Sequence, residues 1–131
     1  MSDEWSLADL ADLRGCKVIA VNGAGVGELE EIIYDFASER PVWLGVAPAQ
    51  GFALKTVLVP VAGSREQEGR LRVAFSADQI REQPPADIGR GFDSATDQRR
   101  LYEYFAVPFD ESREVRVLGL DDDIPGQEVT L

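Results

Sequence analysis

Between residues 70 and 75 apolar and polar positions alternate: Leu71, Val73 and Phe75 fall on one side, Arg70, Arg72 and Ala74 on the other. A strand points successive side chains to opposite faces, so this pattern predicts a strand with one face on a core. Residues 42–46, Val-Trp-Leu-Gly-Val, are apolar without alternation, as expected of a strand buried on both faces. Residues 56–61 predict another strand, and Pro60, lacking an N–H for the ladder, puts it at an edge, an end or a bulge. Residues 26–36 predict a longer strand, acidic in its first half (Glu28, Glu30, Glu31) and apolar in its second (Ile32, Ile33, Tyr34). A first strand over residues 16–21 joins it through Asn22-Gly23, a pair that accepts positive φ at both central positions of a tight hairpin. Residues 63–69 read as a polar loop, and residues 114–120 as a brief last strand carrying Val115 and Val117.

Three helices frame these strands. Ser6, three residues before Asp9, predicts a helix start in which the hydroxyl accepts an early backbone N–H, with Trp5 and Leu10 spaced as a hydrophobic staple and Gly15 ending the segment. Ser76 and Gln79 repeat the arrangement for a short helix that contains Ile80 and stops before Pro84-Pro85. Residues 84–93 read as loop. Residues 94–106 are amphipathic, with Leu101, Tyr102 and Phe105 on one side and Asp97, Arg100 and Glu103 toward the other, and are expected to cover one opening of a barrel. The expected class is mainly β (α+β): a capping segment over residues 1–12, a barrel with its helix over residues 13–109, and an acidic strand and tail over residues 110–131.

Composition narrows the function more than the fold. A chain of 131 residues, 44% of them hydrophobic, suits one core. No apolar run nears the roughly 18 residues of a membrane span, and the acidic opening Ser2-Asp3-Glu4 lacks the basic start of a secretory signal, so a cytoplasmic protein is expected, with at most peripheral membrane association. Cys16 is the only cysteine and is expected to be a small buried residue; there is no histidine, which removes the commonest general base and metal ligand. The net charge of −11 argues against direct nucleic-acid binding. It is uneven: residues 1–14 carry −3, residues 110–131 carry −5, and the 95 residues between them, with 13 acids and 10 bases, only −3.

Candidate chemistry is sparse. Gly23-Ala-Gly25-Val-Gly27 followed by Glu28 fails the dinucleotide fingerprint, because Glu28 stands where a small residue must allow close packing and Glu30-Glu31 repel phosphate. Glu28, Glu30, Glu31 and Asp35 are the acids that could hold a hard cation, and Glu28, Glu31 and Asp35 those that could titrate. Strand alternation puts Glu28 with Glu30, and Glu31 with Asp35, so a converging site needs another strand and a solvated acidic edge is expected instead. Asp121-Asp122-Asp123 lacks the glycine and distal glutamate of a calcium loop and reads as a solubilising tail. Trp5, Tyr104, Val115 and Val117 are the candidates for an interaction surface. No catalytic, cofactor or metal residues are expected.

The ordered string Leu13-x-Gly15-x-x-Val18, Gly25-x-Gly27-Glu28, Ile32-Ile33-x-Asp35, Trp43-Leu44-x-Val46, Leu58-Val-Pro-Val61 and Phe75-Ser-x-Asp-Gln-Ile80 resembles the PRC-barrel family. That family includes the cytoplasmic domain of the photosynthetic reaction-centre H subunit and the C-terminal domain of bacterial ribosome-maturation factors. The resemblance implies a small PRC-type barrel with peripheral short helices, a binding function without an active site, and structural roles for Glu31 and Asp35. It suggests a non-enzymatic adaptor, and the strand over residues 115–120 suggests a homodimer formed by adding that strand to a sheet edge of a second copy. A peripheral accessory of membrane electron transport using Glu28, Glu31 and Asp35 as titrating groups, and an RNA-processing or ribosome-associated factor, are the alternatives.

Overall fold

The longest strand organises the rest. In the computed structural model, which describes residues 5–49, 56–83, 95–107 and 115–119, β1 is Lys17–Ile19, β2 is Gly25–Asp35 and β3 is Pro41–Pro48. One edge of β2 pairs antiparallel with β3, and its other edge is shared by β1, along its first residues, and by β7 (Val115–Leu118), along its last. Beyond β3 lies β4 (Val57–Pro60), and beyond β1 lie β6 (Arg70–Arg72), parallel to it, and β5 (Arg65–Gln67). The sheet therefore runs β4-β3-β2-β1-β6-β5 with β7 on β2. Among the described residues β4 and β5 are its two ends, and the barrel is not closed. The mainly β architecture with short helices follows the sequence pattern, with seven strands in place of about five plus a possible last one. The 84–93 loop and residues 121–131 lie outside the described residues.

Two irregularities in β2 alter which residues share a face. Opposite β1 the register skips one β2 residue, since Val18 faces Gly27 and Ile19 faces Gly25. Opposite β3 it skips Glu30, since Leu29 faces Val46 and Glu31 faces Gly45. A bulge inserts one residue and resets the alternation, so the buried positions Val26, Leu29 and Ile32 fall three apart rather than two. Gly27 makes the crossing possible: a Cβ there would lie 2.0 Å from the Ala47 carbonyl oxygen. The pairing of Glu28 with Glu30 expected from simple alternation is thus corrected. Glu28, Glu31 and Asp35 face the same side of β2, as do their cross-strand neighbours Ala47 and Gly45 on β3.

The turns follow local chemistry. In the β1–β2 connection only Gly23 takes positive φ (+90°), while Ala20 exchanges bonds with Gly23 and Ala24 and the Asn22 side chain accepts from the Ala24 N–H. This is a three-residue loop with a glycine in the left-handed position, in place of the two-residue turn expected from Asn-Gly. The loop expected over residues 63–69 is also corrected. Residues 65–67 form β5, and the turn is Glu68-Gly69, both at positive φ as a two-residue hairpin requires.

Helices α1 (Leu7–Ala11) and α2 (Ala77–Arg81) begin as the sequence predicts: the Ser6 and Ser76 hydroxyls accept from the N–H groups of Asp9 and Gln79 at 3.0 and 3.1 Å. Helix α3 (Ala95–Phe105) lays Leu101, Tyr102 and Phe105 on the sheet. Their rings meet Trp43 edge-on, at 5.0 Å for Tyr102 and 5.9 Å for Phe105, and Phe75 packs on Phe105 at 4.9 Å. Buried aromatic pairs in this geometry add about 0.5–1.5 kcal/mol each beyond their area. Leu7, Leu10, Val115 and Leu118 join the same core.

Candidate functional site

The two ends of the sheet are finished in different ways. At β4 all four residues are buried. The Leu58 N–H donates to Gln83 Oε1 and the Leu58 carbonyl accepts from Gln83 Nε2, both at 2.8 Å, so one side-chain amide takes the place of a neighbouring strand. A second Nε2 bond to the Ile80 carbonyl at 2.9 Å holds Gln83 beneath the end of α2. The Pro60 nitrogen, two residues on, faces the same edge as that of Leu58 and offers no N–H. The outward edge is thereby satisfied and blocked from within.

At the other end β5 is exposed over all three residues. Leu71 of β6 is fully buried, so the opposite face of the hairpin points outward. That face carries two cross-strand pairs, Arg65 with Arg72 and Gln67 with Arg70. Arginine facing arginine across a ladder is unfavourable in the absence of counter-charge. Arg72 is held in place: its Nε and Nη2 donate to the Val21 carbonyl and its Nη1 donates to Gln67 Oε1 at 3.0 Å. Among the described residues neither Arg65 nor Arg70 forms an ion pair. Between this face and the turn after β4 lies an open cleft of about 360 Å³, with Val21, Gly63, Val73 and Ala74 forming its apolar part and Arg65 and Arg72 its rim. Val21 is 45% exposed, one of two large apolar side chains in that state among the described residues.

The residues singled out from the sequence lie elsewhere. Trp5 is half-buried, and its indole N–H donates to the Ser64 carbonyl and hydroxyl at 3.1 and 3.0 Å, which ties the chain ahead of α1 to the turn before β5. Tyr104 rests against Phe105 and donates its hydroxyl to the Gln79 carbonyl at 2.5 Å, joining α3 to α2. Burial, reinforced by the Glu82 carboxylate, pushes its phenol above the ordinary value. Val115 is buried and Val117 half-buried in β7, where they pair with Asp35 and Ile33 of the same chain. One edge of the strand expected to join a second copy is therefore occupied within its own chain.

The acids are dispersed along one face rather than gathered. Glu28 is exposed near the start of β2. Glu31 is half-buried across from Gly45, and Asp35 ends the strand by accepting from the Ser38 N–H and hydroxyl at 3.3 and 2.6 Å. Among the described residues no group of three potential metal ligands assembles; Asp121–Asp123 lie outside them. Cys16 is half-buried, and burial is the main influence that raises its thiol. Among the described residues no helix is long and apolar enough to cross a membrane.

Sequence reasoning missed the arginine face because it missed β5. Arg70 and Arg72 were legible as the outward side of a strand, but Arg65-Glu-Gln67 contains no apolar residue to mark it as one. The available sign was Gly69, a glycine next to an alternating run.

Comparison with known families gives one result: the profile of the PRC-barrel domain matches residues 8–80, which includes β1 to β6 and most of α1 and α2. Comparison with curated proteins finds no match.

Proposed function

The chain belongs to the PRC-barrel family, and from that premise we propose that it is a non-enzymatic protein-interaction module whose contact surface is the outward face of β5 and β6. The observation that carries this reading is the fixed Arg72 guanidinium beside an exposed Val21 at the rim of an open cleft. Interface anchors combine an apolar contact with an oriented arginine, because together they bury area and fix direction. Arg72 is already oriented by its own chain, so less side-chain freedom is lost when a partner arrives.

Affinity capture from the native cell tests the reading, with the unaltered protein compared against a variant carrying Arg65→Glu and Arg70→Glu. A partner held by the first and released by the second is the expected result. Capture of the same proteins by both would remove the arginine face from the reading, and capture by neither would remove the reading itself.

A further inference from the structure

Resting on that reading, we infer that the β5–β6 face takes an extended acidic segment of the partner protein, with carboxylates at alternate positions and a small apolar residue on the Val21 side. The hairpin presents two rungs, Arg65 with Arg72 and Gln67 with Arg70. Residues two apart on a strand are about 7 Å apart. An extended peptide repeats its side chains on one face at the same interval, so acids at i and i+2 meet successive rungs, whereas adjacent acids point to opposite sides.

The donors suit carboxylates. Arg72 uses three of its five N–H groups on Val21 and Gln67, which fixes the guanidinium plane and leaves two for a ligand. Gln67 accepts from Arg72 through its oxygen, and its amide keeps two N–H donors. Arg65 and Arg70 have no ion pair among the described residues. A carboxylate between Arg65 and Arg72 would also convert an unfavourable like-charge pair into two charge-assisted contacts. Nearby acids do not fill this role: Glu66 belongs to the opposite face of β5 and Glu68 to the turn.

The floor of the cleft sets the apolar requirement. Gly63, at φ +80°, packs where a Cβ would come within 2.8 Å of the Ala74 side chain, so the wall stays low beside Val73. Room remains for a small apolar side chain next to Val21. A protein segment fits better than a single-stranded nucleic acid: among the described residues no aromatic side chain lines the cleft to stack a base.

The test is a nuclear magnetic resonance titration of the full chain with a capped pentapeptide, valine-serine-glutamate-serine-glutamate. Saturable shifts at Val21, Gly63, Arg65 and Arg72 are expected. Binding should weaken about tenfold when Arg65→Ser and Arg70→Ser are combined, and again when the two glutamates are moved to adjacent positions. Equal binding of the rearranged peptide, indifference to the two substitutions, or tighter binding of a ten-nucleotide uridine RNA at the same resonances would overturn the inference. So would movement of those resonances on changing Asp121, Asp122 and Asp123 together to Asn, since the chain's own acidic segment would then be the occupant. If the peptide fails while partner capture still depends on Arg65 and Arg70, the acidic chemistry is wrong and the interaction reading stands.

Discussion

β4 and β5 are end strands of one sheet, yet β4 is wholly buried and β5 wholly exposed. An end strand offers unpaired backbone groups to any passing strand, and a protein must block that pairing. β4 does so by covering: Gln83 satisfies Leu58, Pro60 withholds an N–H, and α2 lies over the edge. β5 does so by brevity and charge, with Arg65, Glu66 and Gln67 all in solvent. Covering an edge removes it from use, whereas charging it leaves a surface that a complementary partner can still approach. The difference separates a covered, buried end of the sheet from an open, charged one.

The largest effect should come from the covered end. Trp43, fully buried and cross-strand to Pro60, carries the rings of Tyr102 and Phe105. Trp43→Ala should cost about 3–5 kcal/mol in chemical denaturation followed by circular dichroism, through lost burial and the cavity left behind. A loss no larger than that of an exposed β5 residue would erase the distinction between the two ends.

Gln83→Ala comes next. It abandons the Leu58 N–H and carbonyl, two groups that α2 keeps from water, at about 2–3 kcal/mol in total. Hydrogen exchange gives the sharper measure: the Leu58 amide should lose protection ahead of Val57 and Val59, which bond inward to β3. Uniform loss along β4 would mean that Gln83 supports the strand by packing rather than by replacing a neighbour.

How far each end was legible from the sequence follows from the range of its interactions. Pro60 announces an edge through its own missing N–H, and Ser6 and Ser76 announce helix starts through bonds three residues long. The apolar side of α3 and the run Val42-Trp43-Leu44 are equally local in their patterns. Gln83 is a polar residue before a proline until the chain brings Leu58, 25 positions away, beside it. β5 is a strand only because β6 pairs with it, and the bulges in β2 arise from registers with two different neighbours. The arginine face needed both strands of the hairpin before its three charges came together, so a reading that found one strand saw only two of them.

Tyr104 links the covered end to α3 by one hydrogen bond, so Tyr104→Phe should cost about 1 kcal/mol. Its raised phenol adds a pH dependence. The unfolded chain ionises first, near the ordinary value of 10.0, so this stabilisation is complete below that pH. It falls as the pH climbs through the higher folded value. An ultraviolet titration should therefore place the Tyr104 ionisation above the ordinary value, and Tyr104→Phe should reduce the absorbance change of that late phase. If the late phase persists undiminished in the variant, it belongs to another tyrosine.

The smallest change in stability is also the one with opposite consequences for fold and function. Arg65→Glu turns a like-charge pair across the ladder into one of opposite sign, a carboxylate facing Arg72, so the folded protein should gain about 0.2–1 kcal/mol. The same substitution puts a negative charge at the rim of the cleft, and binding of an acidic segment should fall more than it does for Arg65→Ser. A residue retained for the fold would lose stability when changed; one retained for a partner is expected to show this reversal, because binding sites keep unfavourable charge arrangements that ligands relieve. Denaturation and peptide titration on the same sample decide the matter: stability and binding falling together would make Arg65 a structural residue, and the open end of the sheet would no longer differ in kind from the covered one.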